Sequence, residues 1–191
     1  MIHKFFEELN ERNDDEIGNY YIQNLVNDIE KHQIGKDGEE MYQFLEIIKS
    51  FGDHHHRDQH FNNRMNQILE HYKDQIKKTL SNIEIFHIFK NNKKIVYFLL
   101  KNDIITISDE IYNEMMNKVE INGKRYWYFF IPELEKIVDK RLMSFVKSEL
   151  LKEDPNFFTN YEAKRQEGEN DSYICSLIRQ DSVEEFISHV N

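Results

Sequence analysis

Phe61-Asn62-Asn63-Arg64-Met65-Asn66-Gln67-Ile68-Leu69-Glu70-His71-Tyr72-Lys73-Asp74-Gln75-Ile76-Lys77-Lys78-Thr79-Leu80 decides the fold class. Its apolar residues Phe61, Met65, Ile68, Leu69, Tyr72, Ile76 and Leu80 share one stripe at helical spacing, and the other face is polar. A strand would alternate with period two, which this stretch does not do. The stripe predicts a long amphipathic helix that starts near Asp53 and runs to about Leu80.

The same period extends both ways. Upstream, Tyr21, Ile22, Leu25, Val26 and Ile29 place a helix over 19–33, ended by Gly35 and Gly38, and Met41, Phe44, Leu45, Ile48 and Phe51 place another over 39–51. Gly52 is expected as its stop. Downstream, Ser81-Asn82 interrupts, and the apolar runs 83–89 and 93–100 read as two short buried helices around the Lys90-Asn91-Asn92 turn. Ile104 to Ile107 is too short and isolated for a sheet and reads as an extended connector. Ser108 or Asp109 can cap a helix carrying Ile111, Met115 and Val119, which the Asn122-Gly123 turn ends. Pro132 suits the first residue of a helix with Leu134, Ile137, Val138, Leu142, Phe145, Val146 and Leu150, closed by Asp154-Pro155. Two more helices are expected over 173–179 and 183–190, the second with Asp181 as cap and Glu184 in the reciprocal position.

The fold class is therefore all-α, a multi-helix bundle. No linker rich in Pro or Ser divides the chain; we take 1–80 as an N-terminal amphipathic segment and 81–191 as a second helical region, or the two as one continuous domain. Ile85, Ile88, Phe89, Tyr97 and Phe98 align without gaps with Ile174, Leu177, Ile178, Phe186 and Ile187. Each copy is a helix, a polar turn and a helix, the unit that helical solenoids stack.

Composition narrows the function classes. A chain of 191 residues buries about 70% of its unfolded surface and needs no disulfide or structural metal to hold a core. Its single thiol, Cys175, excludes an internal disulfide framework and fits a reducing compartment. The 25 basic against 35 acidic side chains make an overall repulsion from nucleic acid. The imbalance is uneven: net −8 over 1–60, +3 over 61–130 and −5 over 131–191. The first residues carry Glu7 and Glu8 within a short apolar run, so they do not read as a signal peptide, and no apolar stretch approaches the roughly 20 residues of a membrane helix. An intracellular, cytoplasmic protein without membrane contact is expected.

Candidate chemistry is sparse. His54, His55, His56 and His60 form the loudest cluster; His56 and His60, four apart, would share a helical face and can chelate zinc or nickel. No Cys is near, and no Glu follows His56 as in a helical metalloprotease motif, so a solvated helix start explains the run more simply. Cys175 has no His within three residues on either side and reads as a small apolar core residue rather than a nucleophile. Gly-x-Ser-x-Gly turns and phosphate-binding Gly-rich loops are absent from the sequence. The adjacent carboxylates Asp14-Asp15-Glu16 and Glu39-Glu40 sit at expected helix starts, where the helix dipole favours them without catalysis. Lys124-Arg125-Tyr126-Trp127-Tyr128-Phe129-Phe130 mixes cations and aromatics; Arg125, Tyr126 and Trp127 could contact single-stranded nucleic acid. A core anchor leading into the Pro132 helix is the simpler reading, as are charged turns for Lys90, Lys93 and Lys94. No nucleic acid, metal or other cofactor is expected.

Glu162-Ala163-Lys164-Arg165-Gln166-Glu167-Gly168-Glu169-Asn170-Asp171-Ser172-Tyr173-Ile174-Cys175, with Leu177-Ile178-Arg179 and Asp181-Ser182-Val183-Glu184-Glu185-Phe186-Ile187, resembles the helical region that precedes the ankyrin repeats in a large protist family of ankyrin-repeat proteins. Residues 89–106 and 129–133 are similar to the spacing of that region, so the likeness spans about 80–191. It implies ankyrin-like, solenoid helix pairs at the C-terminus, with Cys175 to Val190 where an array begins. It also implies a non-catalytic module binding a protein partner of unknown identity, without cofactor or active-site residues. The chain stops at Asn191 before any full repeat, which leaves Phe186, Ile187 and Val190 without a stacked neighbour and predicts fraying or self-association.

Overall fold

The computed structural model describes residues 37–54, 59–119 and 125–167, together with Gln23, Asn24, Val26, Asn27, Ile29, Glu30, Lys31 and Gly35. Among the described residues the regular structure is helical, and the only extended pairing is an isolated antiparallel bridge between Val119 and Arg125. The elements are α1 (Gly38–His54), α2 (Gln59–His71), α3 (Lys73–Thr79), α4 (Asn82–Phe89), α5 (Lys93–Lys101), α6 (Asp109–Asn117), a 3₁₀ helix (Tyr126–Phe130), α7 (Ile131–Leu134), α8 (Lys140–Glu153) and α9 (Tyr161–Glu167). One compact unit ends at Val138 and a second begins at Asp139. Within the first, α1 packs on α2, α3 and α4, and α4 also packs on α5 and α6. The α1–α4 packing spans the 80/81 position, which therefore lies inside this unit.

Met65, Ile68, Leu69, Tyr72, Ile76 and Leu80 are all buried, as their spacing demands. They span two helices rather than one, with Tyr72 between α2 and α3 and Leu80 just after α3. Tyr72 leaves helical geometry, although its amide still donates to the Ile68 carbonyl (3.1 Å) and its carbonyl accepts from Ile76 (2.8 Å). Tertiary contacts hold it: the phenol donates to the Val26 carbonyl at 3.3 Å, and the ring stands edge-on to Phe44 with centroids 5.5 Å apart.

Gly52 is not the expected stop, and no helix begins at Asp53, because α1 runs through both to His54. Gly52 is buried where an added Cβ would lie 2.9 Å from Met65 Cε and 3.0 Å from Ile95 Cδ1. Its smallness lets α1, α2 and α5 approach, which offsets the roughly 1 kcal/mol that glycine costs inside a helix. We expect Gly52→Leu to lower stability by about 1–3 kcal/mol through overpacking, read as a lower urea midpoint at unchanged slope. Gly52→Ala should fold near normally, since the atoms it meets are the movable ends of Met65 and Ile95.

A capping box opens α4. Ser81 Oγ accepts from the Glu84 amide at 3.4 Å, and Glu84 Oε2 accepts from the Ser81 amide at 2.8 Å and its hydroxyl at 2.6 Å. Those bonds from Ser81, first the hydroxyl and then the amide, hold the Glu84 carboxyl below its ordinary pKa. Ser81→Ala should cost about 1 kcal/mol in urea unfolding, because the Glu84 amide at the helix start loses its acceptor. The other helix borders have local causes as well. Asn92 caps α5 and Ser108 caps α6. Asp103 adopts φ 54°, and the amides of Ile104 and Ile105 return to the Leu99 carbonyl (2.8 and 3.3 Å), which makes 104–107 the expected connector.

Two expectations past this point need correction. α6 ends at Asn117, leaving Val119 exposed in the bridge to Arg125 instead of on a helical stripe. The single helix expected from Pro132 to Leu150 is two: α7 ends at Leu134, and Asp139 starts α8 by accepting from the amides of Arg141 (2.9 Å) and Leu142 (3.2 Å). An Asp with two such bonds is a strong N-cap, and it restarts the helix despite the continuous apolar pattern. In α8, Met143 and Leu150 are buried, whereas Leu142 and Phe145 are exposed. Asp154-Pro155 closes α8 as expected, and α9 was not foreseen.

Candidate interaction surface

The run at 125–130 is split by burial. Tyr126, Phe129 and Phe130 are inside, at 1%, 3% and 0% exposure, whereas Arg125 is exposed and Trp127 and Tyr128 are half-buried. The 3₁₀ turn causes the split, because its pitch of about three residues returns positions 126 and 129 to one side. Tyr126 meets Phe86 edge-on at 6.5 Å and Phe130 at 5.2 Å, which anchors the turn against α4. Arg125, Tyr126 and Trp127 thus do not present one flat stacking platform. Lys124 lies outside the described residues.

Lys90, Lys93 and Lys94 take different places. Lys90 Nζ bonds Glu114 at 3.2 Å, joining the end of α4 to α6. Lys93 lies over the Phe129 ring at 5.4 Å, Phe129 meets Tyr97 edge-on at 6.4 Å, and Lys101 lies over Tyr97 at 5.5 Å. Lys93, Tyr97 and Lys101 are four apart on α5 and form a row of cation, aromatic and cation on one side of the helix. Lys94 is half-buried beside that row.

A polar cluster that single-sequence reading missed lies where α4 meets α6. His87 Nε2 and Glu114 Oε1 are 2.5 Å apart, both side chains being partly exposed, and Glu114 also takes the Lys90 bond. Burial pulls the Glu114 carboxyl upward, yet hydrogen bonds and charges from His87 and Lys90 outweigh it and leave the pKa below its ordinary value. Lys118 Nζ donates to the Lys90 carbonyl (2.7 Å) and Asn91 Oδ1 (2.9 Å) and sits 4.4 Å above the Tyr126 ring. These groups clasp the 90–92 turn to α6 and the 3₁₀ turn. Their sequence separations of 24 to 28 residues gave no local signal.

Of the candidate metal ligands, His55 and His56 lie outside the described residues, His54 is the last residue of α1 and His60 the second of α2. Among the described residues no group of at least three His, Cys, Asp or Glu side chains is placed to hold a metal ion. Glu39 and Glu40 occupy the first turn of α1, and Glu40 accepts from the Gly35 amide at 3.2 Å. Asp14, Asp15, Glu16, Cys175 and the stretches 173–179 and 183–190, where two helices are expected, lie outside the described residues. No described helix is long and apolar enough to cross a membrane. No family model, curated protein or solved structure matches the chain.

Proposed function

We propose that the chain is a non-catalytic protein-interaction module or the N-terminal cap of an ankyrin-type scaffold. The observation that supports this reading is the α4–turn–α5 pair: helices of eight and nine residues joined by a three-residue turn and followed by a non-helical connector. Short helix pairs that bury one face on their neighbours are the units of stacked repeat proteins. The likeness of residues 162–187 to a region preceding ankyrin repeats points the same way, and the cap would hand its last helix pair to the array. The coding sequence beyond codon 191 tests the reading. Tandem units of about 33 residues would support it, and a stop codon or an unrelated domain would withdraw the cap assignment. Enzymatic turnover abolished by one conservative side-chain change would overturn the non-catalytic reading.

A further inference from the structure

The outward side of α8 is complementary to itself. Leu142 is 52% exposed and Phe145 61%, three residues apart in the first half of the helix. Arg141, exposed, lies four residues before Phe145, and Glu149 lies four after it on the same side. Glu149 is bonded to Lys152 at 2.6 Å, and 44% and 69% of the two side chains are exposed. The row thus reads base, Leu, Phe, acid, base, and the acid makes its two ends unlike.

Charge decides how such a face can meet its own copy. Side by side in parallel, two of these helices would set Arg141 on Arg141 and Glu149 on Glu149, and like charges so placed disfavour the pair. Antiparallel, about a twofold axis beside Phe145, positions equally far before and after Phe145 stand level. Arg141 of each copy then opposes Glu149 of the other, and these ends, about 12 Å apart along the axis, bracket two Phe145 and two Leu142 side chains. Lys152 comes level with the exposed N-cap Asp139 of the other copy. A slide of three residues would instead bring Arg141 level with Lys152, so the charges fix register as well as direction.

We propose that α8 pairs with α8 of a second copy of this chain, antiparallel, with Phe145 at the twofold axis and Arg141 set against Glu149 at each end. The self-complementary order of charge around the apolar centre selects a second copy over an unspecified partner. A face one helix long gives a weak dimer that forms as concentration rises. The inference goes beyond the scaffold reading, since it needs neither a cap nor an array.

Sedimentation equilibrium of the full chain from about 10 μM to about 1 mM tests it. The mean mass should climb from monomer toward dimer across that range. Phe145→Asp should stay monomeric throughout, and Arg141→Glu should weaken association about tenfold or more, because Glu149 then faces a like charge. Arg141→Glu combined with Glu149→Arg should restore the dimer, since the opposed charges are exchanged rather than removed. A monomer at every concentration would overturn the proposal. So would a dimer indifferent to Phe145→Asp, or a doubly exchanged chain that associates no better than Arg141→Glu alone.

Discussion

Phe86→Ala is expected to remove about 3–5 kcal/mol of stability, a large share of the roughly 5–15 kcal/mol that holds a domain together. Phe86 is 1% exposed on α4, the helix that packs on α1, α5 and α6, and its ring meets the Tyr126 edge at 6.5 Å. Truncation therefore loses the transfer energy of the ring and opens a cavity beside a second buried aromatic that has little room to collapse. Urea unfolding should show a midpoint lowered by roughly 2 M at unchanged slope. Tyr42→Ala supplies the contrast: Tyr42 is 43% exposed on α1, and its loss should stay within about 0.5 kcal/mol. Equal effects from the two changes would mean that α4 is not central to the core.

The second large effect is alkaline. Burial, helped by the Glu30 charge, pushes the Tyr72 phenol up to about 12 from 10.0. The folded state thus holds the phenol proton more tightly than the unfolded chain does. The associated stability is complete below pH 10 and is lost as pH rises from there through 12. Two pKa units correspond to about 2–3 kcal/mol. Urea midpoints measured from about pH 8 to pH 12 should fall more steeply for the native chain than for Tyr72→Phe. The variant should itself be weaker by about 0.5–1.5 kcal/mol at neutral pH, because the Val26 carbonyl loses its donor. Parallel curves would show that Tyr72 ionises freely while the chain stays folded.

Helix existence was legible because the pattern is local: Met65 to Leu80 had to share a buried side, and they do. Borders failed where a tertiary or side-chain preference outweighed the pattern. Gly52 resembled a stop but is a point of close approach, and only the positions of Met65 and Ile95 reveal the difference. Asp139 restarts a helix inside an apolar stripe with the two bonds of its carboxylate. The same limit applies to the candidate surface. The aromatic run at 126–130 was legible as a core anchor, but which of its rings are buried depends on the 3₁₀ turn, and the meeting of His87 with Glu114 needs the α4–α6 packing to bring them together.

The helix pairing of the first unit also governs the time the chain needs to find it. α2 packs on α3, α4 on α5 and α6, and α6 on the 3₁₀ turn, so most partners are neighbours in the chain. Such short-range topologies close small loops, and helical domains of this kind fold in microseconds to milliseconds. Among these pairs, α1 with α4 bridges the widest gap. Closing that gap costs the most chain entropy of any pairing in the set.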